Sequence, residues 1–97
     1  MKTYSGTRTI DGLDVRVNDQ PLSDHADIHK FTGNGFEWTY EGPGPKQLAF
    51  AILMDHLNDK TKALQLADGF MTEIVANFAN EWTLTSDDVE KAINALV

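Results

Sequence analysis

From Leu13 to Val17 apolar and polar residues alternate, with Leu13, Val15 and Val17 on one side and Asp14 and Arg16 on the other. That period of two predicts a half-buried strand. The stretch before it, TYSGTRTI, also reads as extended, and Asp11-Gly12 separates the two. An Asp-Gly pair between extended segments predicts a hairpin with a type I′ turn, which needs positive φ at both central positions. The polar segment NDQPLSDHADIHKFTGNG, broken by Pro21, Gly33 and Gly35, reads as a long connection. FEWTY then alternates again: Phe36, Trp38 and Tyr40 point one way, Glu37 and Thr39 the other. It predicts a third strand whose aromatic face covers the core.

Beyond Gly42-Pro43-Gly44-Pro45 the period changes. Pro45 suits a first helical turn, where its missing N–H costs nothing. Leu48 to Met54 is apolar on every side, which predicts a buried central helix. Asn58-Asp59 interrupts the pattern. Ala63, Leu66, Ala67, Phe70, Met71, Ile74, Val75 and Phe78 then form an i, i+3, i+4, i+7 stripe. Gly69 lies inside the stripe, where it costs about 1 kcal/mol relative to alanine and would allow close packing against a neighbour. In WTLTSDDVEKAINAL, Thr85 with Asp88 three residues on marks a helix start, and Val89, Ile93 and Leu96 its apolar face. The expected order is β-β-loop-β-α-α-α. This is an α+β fold in which a three-stranded antiparallel sheet, a hairpin plus one strand, packs against three C-terminal helices.

Composition adds limits. Ninety-seven residues at 41% hydrophobic content fit one small domain over 1–97 with its own core. There is no cysteine, which excludes disulfides and thiolate metal sites. MKTYSGTRTI lacks a signal-peptide apolar run, and Leu48 to Met54 is too short to span a membrane, so a cytoplasmic protein of a bacterial host is expected. The net charge of -7 is uneven. Residues 1–46 hold five basic and seven acidic side chains; residues 47–97 hold three and eight. A helical half this acidic argues against direct nucleic-acid binding, which needs clustered Lys and Arg. It suits a protein partner with a basic surface. Acidic surfaces also keep small proteins soluble, and this charge lies within the ordinary range.

Candidate chemistry is sparse. The Gly42–Lys46 turn offers a helix N-terminus and a cation for a phosphate, yet two of its first four residues are prolines without an N–H. A rigid turn is the simpler reading. Asp24, His25, Asp27 and His29 are metal-ligand types, but the surroundings read as loop, with no glutamate motif and no third ligand; no metal or cofactor is expected. His56 beside Asp55 reads as a helix-end residue near the negative end of the dipole. No nucleophile, base and orienting group converge, so no catalytic residue is assigned and the protein reads as a non-enzyme. Trp38 and Tyr40 read as core. Trp82, in NEWTLT between two helices, is expected to be partly exposed and able to join an interaction surface.

FEWTYEGPGPKQLAFAIL, with YSGTR upstream and EWTLTSDDV downstream, resembles a family of unknown function. Its members are small proteins of phages, plasmids and integrated elements, with the pattern Phe-Glu-Trp-Gly-Tyr-Gly-Gly-Ser-Gly-Pro-x-Gln-Leu-Ala. Phe36, Glu37, Trp38, Tyr40, Gly42, Gly44, Pro45, Gln47, Leu48 and Ala49 match it; Thr39, Glu41 and Pro43 depart from it. The resemblance implies a mobile-element accessory protein and supplies no activity. Small acidic proteins of such elements often bind and inhibit host machinery, including defence nucleases and CRISPR complexes. The expected function is therefore a protein-binding module, possible partner contacts being Asp55, Asp59, Asp68, Glu73, Trp82, Asp87, Asp88 and Glu90. The alternative is a small-ligand or phosphate-binding domain built on Glu37, Gly42, Gly44, Lys46 and Gln47.

Overall fold

The computed structural model describes residues 2–33 and 35–96; Asn34, within the expected long connection, lies outside them. Strands β1 (Thr3–Thr9) and β2 (Gly12–Val17) pair antiparallel with Thr9 opposite Gly12, so the hairpin forms. Its turn differs from the expected one. Ile10 and Asp11 are the central residues, and positive φ (121°) falls on Gly12, not on either of them. The register stays one-to-one through Arg8–Leu13 and Thr9–Gly12, so the turn is not the expected type I′ and no bulge follows it. Type I′ signs appear at the next turn instead. Asn18 (φ 49°) and Asp19 (φ 67°) link β2 to the two-residue strand β3 (Gln20–Pro21). Asn and Asp tolerate this left-handed geometry better than most residues.

FEWTY is not a strand, which corrects the expected sheet. Thr39 has φ 82°, so the extended path breaks there. Its neighbours' backbone groups bond elsewhere: the Arg8 guanidinium donates to the Trp38 carbonyl (3.1 Å), and the Glu37 carboxylate accepts from the Trp38 N–H (3.2 Å). Trp38 is fully buried as expected, but Phe36 is half-buried and Tyr40 is 49% exposed. The fourth strand is β4 (Trp82–Thr85), which pairs with β1 and makes the sheet order β3-β2-β1-β4. Trp82 is thereby buried, only 7% exposed, not a surface residue between helices.

Among the described residues three α-helices cover one face of this sheet. Helix α1 (Pro43–Leu57) starts at an extended Gly42 and is buried from Gly44 to Met54, Lys46 excepted. It ends where Asn58 adopts a left-handed cap (φ 52°). Helix α2 (Lys60–Glu73) is N-capped by Asp59, whose carboxylate accepts from the Lys62 N–H. It stops earlier than the apolar stripe, which continues through a 3-10 turn at Val75–Asn77 and an extended Phe78. Gly69 gives the close packing expected of it: a Cβ there would stand 3.0 Å from Leu96. Helix α3 (Ser86–Leu96) begins with a reciprocal capping box. The Thr85 N–H donates to Asp88 (3.0 Å) and the Asp88 N–H to the Thr85 hydroxyl (3.2 Å).

The core runs from α1 to the inner sheet face through the tryptophans. Trp38 and Trp82 meet edge to face, with centroids 5.8 Å apart, and Trp82 stacks on Phe78 at 4.3 Å. Each fully buried large side chain of this kind contributes roughly 1.5–3 kcal/mol. Both indole N–H groups are buried without a hydrogen-bond partner among the described residues. The rings therefore contribute as apolar bodies and through their quadrupoles. Trp82 lies flat against Gly6, where any Cβ would collide with the indole.

Candidate functional site

The two layers differ in charge. Along β1 the outward residues are Thr3, Ser5, Thr7 and Thr9, alternating with the inward Tyr4, Gly6 and Arg8. Thr83 and Thr85 continue that face on β4, opposite Ser5 and Thr3. The charges beside them, Asp14 and Arg16, neutralise each other at 3.1 Å. The outer sheet face is thus a flat field of hydroxyls with no net charge. The carboxylates of the second half of the chain gather on and around the helices instead.

Those carboxylates fall into two groups. Some are committed internally. Asp55 accepts from the Tyr4 hydroxyl (2.7 Å) and from the Lys2 ammonium (3.0 Å), tying β1 to the end of α1. Burial, and then the Asp55 carboxylate, push the Tyr4 phenol well above its usual range. Asp59 caps α2. Asp68 pairs with Lys46 at 3.2 Å and Glu90 with His56 at 2.9 Å. Asp88 is held below the usual carboxylate range, chiefly by the Thr85 backbone N–H and then by its hydroxyl. The second group is Glu73, Glu81 and Asp87, which are exposed and have no hydrogen bond or ion pair through their carboxylates among the described residues. Of the expected contact residues, then, Glu73 and Asp87 are free, while Trp82 is taken out of the set by burial.

Two grooves flank α3. One, of about 350 Å³, is floored by Ile74, Ala92, Ala95 and Leu96 and edged by Glu73. The other, of about 360 Å³, is lined by Leu57, Lys62, Gln65, Leu66, Glu90, Ile93 and Asn94. Sequence reasoning placed Ile93 and Leu96 on a buried face and missed the grooves, because Ala92 and Ala95 carry no signal until a neighbouring helix stands beside them.

The Gly42–Lys46 turn is filled by its own chain. Pro43 and Pro45 leave only the Gly44 N–H among the first three helical positions, and the Lys46 N–H donates to the Gly42 carbonyl (2.9 Å). Gly44 is buried under Glu37; a Cβ there would stand 2.9 Å from the Glu37 Cβ. Glu37 pairs with Arg8 at 2.8 Å, and Arg8 also covers the Trp38 ring at 4.8 Å. The Lys46 ammonium lies 4.8 Å from the centroid of the Phe31 ring. Gln47, 1% exposed, accepts from the Phe31 N–H (2.7 Å) and donates to the Asp24 and His29 carbonyls (2.7 and 3.1 Å). All three groups of its amide are engaged in holding the long connection against α1. His29 and Phe31 lie against one another, 4.4 Å between centroids, and pack toward Phe50. No group of three His, Asp or Glu positioned to hold a metal occurs among the described residues. No helix there is long and apolar enough to cross a membrane.

No curated protein and no solved structure matches the chain. One family model does, over residues 4–95, which takes in all four strands from Tyr4 onward, α1, α2 and nearly all of α3. The chain belongs to that family, DUF6166, a family of unknown function.

Proposed function

We propose that this protein is a non-enzymatic, acidic protein-binding module, an accessory protein of a phage or mobile element that inhibits a host or defence protein such as a restriction or CRISPR-type nuclease. The observation that carries the reading is the separation of charge between layers. The sheet presents neutral hydroxyls, while exposed carboxylates of the helical side, Glu73 and Asp87 foremost, have no internal partner. A one-sided field of this sort orients the approach of a basic surface and speeds encounter in a salt-dependent way. Nucleic acid and anionic membrane are repelled by the same field.

The binding test is a pull-down from bacterial lysate with the wild-type chain and with a Glu73→Lys, Asp87→Lys double variant, washed at low and high salt. Glu73 makes no side-chain hydrogen bond or ion pair among the described residues, whereas Asp87 stands in the first turn of α3, where a lysine costs about 0.3–1 kcal/mol against the helix dipole, so far-UV circular dichroism must first show that the variant is folded. The expected result is a partner held at low salt, released at high salt and lost from the variant. Equal capture by both proteins at both salts would sink the reading. The inhibitory role is tested by expressing the chain in cells that restrict a phage. Plating efficiency should rise at least tenfold, and no rise across restriction and CRISPR strains would remove the anti-defence part.

A further inference from the structure

The two edges of the sheet are unlike. Along an antiparallel pair hydrogen-bonded and non-bonded positions alternate, so each residue of a strand turns its backbone groups to one side or the other. The Asn18 N–H donates to the Thr3 carbonyl (2.9 Å), so the odd-numbered residues of β1 face β2. The Ser86 N–H donates to the Lys2 carbonyl (2.8 Å), so the even-numbered ones face β4. The register then turns the backbone of Trp82 and Leu84 toward β1 and that of Thr83 outward. On the opposite edge, Val17 pairs with Gln20 and the Leu22 N–H donates to the Val15 carbonyl (3.0 Å), which leaves Pro21 as the outward residue of β3. Proline has no N–H to offer, so that edge is closed. The other edge presents the N–H and C=O of the exposed Thr83, and no strand pairs there among the described residues. Charge frames it. Glu81 stands directly before β4 and Asp87 just beyond its end, both exposed and without an ion pair among the described residues. Asp88 is a third carboxylate, and Lys91 beside it offsets one charge, so three negative groups and one positive leave the ends of the strand at -2. Lys2, across β1, is already paired with Asp55 at 3.0 Å.

We propose that β4 takes up an added antiparallel strand from the partner protein, an extended segment that alternates apolar residues with Lys or Arg. The proposal rests on the protein-binding reading above and names its surface and the chemistry of the partner. A central residue opposite Thr83 exchanges both backbone hydrogen bonds with it. The residues on either side of that one fall on the inner face, beside the half-buried Leu84 and Phe78. Those two away fall on the outer face with Thr83, where cations lie at Glu81 at one end of the strand and toward Asp87 at the other. A second copy of this chain does not supply this. Two β4 strands paired about a two-fold axis at Thr83 set Glu81 opposite Thr85, whose N–H already donates to Asp88 (3.0 Å), so only the Thr83 pair bonds fully and the acidic ends of the two copies adjoin.

The probe is an end-blocked peptide, Val-Lys-Val-Thr-Val-Lys-Val. The control is the same peptide N-methylated at its central threonine, which keeps the charge and removes the N–H that meets the Thr83 carbonyl. Both are titrated into ¹⁵N-labelled protein and followed by amide chemical shifts. The unmodified peptide should move the Glu81, Thr83 and Thr85 amides and bind about tenfold more tightly than the control, the worth of one hydrogen bond. Thr83→Pro gives this edge what Pro21 gives the other, since it removes the outward N–H and leaves the bonds to β1 in place. It should weaken the peptide roughly tenfold, while Thr83→Val, which keeps the N–H, should bind as the wild type does. The comparison of the two peptides stands whether or not the proline variant folds. Equal binding of the two peptides would overturn the added strand and leave the acidic surface standing. A dimer of the free chain in sedimentation, lost in Thr83→Pro, would overturn the occupant in favour of a second copy. Failure of both peptides to bind would overturn the added strand, whereas the protein-binding reading falls only by the pull-down above.

Discussion

Thr39 sits at φ 82°, where a β-branched side chain crowds its own backbone. It is kept there by its surroundings: Trp38 is locked in the core, and the Thr39 N–H donates to the Val75 carbonyl at 3.3 Å. Such strain costs about 1–2 kcal/mol. Thr39→Gly should therefore raise stability by about 1 kcal/mol, read as a higher urea midpoint at unchanged slope. Tyr4 makes the opposite kind of position, one where a polar group is buried and satisfied. Its hydroxyl donates to Asp55, and its ionisation is pushed up by burial and by that carboxylate. A folded-state value above the unfolded one, about 10, means that the contribution is whole below pH ~10 and is lost as pH rises above it. Tyr4→Phe should cost about 1 kcal/mol at pH 7. The gap to wild type should narrow and then reverse above pH ~10, because the variant has no phenol to hold neutral. Thermal melts of both proteins between pH 7 and 11 check this.

The elements are held by a few directional contacts laid over apolar packing. The long connection between β3 and α1 has little regular structure of its own, and Gln47 joins it to the helix by three hydrogen bonds. Gln47→Leu keeps the volume and strands the Phe31 N–H and two carbonyls. The expected loss is about 3 kcal/mol, with hydrogen exchange at the Phe31 amide accelerating more than at α1. Equal acceleration everywhere would mean that the glutamine supports the whole core rather than the loop. Helix starts and stops were legible because their chemistry is local. Asn58 and Asp59 end one helix and cap the next, and Thr85 with Asp88 caps the third. The end of α2 was not legible. The apolar stripe runs on to Phe78, yet the chain leaves the helix after Glu73, where Val75 is buried in a 3-10 turn and Phe78 stacks on Trp82.

The intact fold is closed by its ends. β1 pairs on one side with β2, next in sequence, and on the other with β4, so residues 3–6 meet residues 82–85. The sheet is complete only when everything between is in place, and Trp82 of β4 meets both Trp38 of the loop before α1 and Phe78 just after the 3-10 turn. Unfolding should accordingly be one cooperative step. Tryptophan fluorescence and helical circular dichroism should give coincident urea transitions, while a fluorescence transition at lower urea would show a helical unit that outlives the sheet. Such distant pairing also predicts folding in the millisecond-to-second range, slower than a helical bundle.

The α+β class, the hairpin, the central helix and the helix caps follow from residues within about one turn of each other, where periodicity and capping chemistry act directly. The charge imbalance between the halves is likewise in the sequence, since it needs only counting. Partnership across the chain is not. FEWTY has a strand's alternation but is broken by the positive φ of Thr39 and by Trp38 backbone groups bonded to the Arg8 and Glu37 side chains, while the four residues Trp82–Thr85, too short to stand out, pair with β1. Which carboxylates remain free also depends on the fold, because Lys2, Lys46 and His56 reach Asp55, Asp68 and Glu90 from distant positions. The groove at Glu73 exists only where α2 and α3 meet. Local propensity is written into neighbouring residues, whereas pairing, neutralisation and concavity are properties of surfaces that come together after the chain has folded.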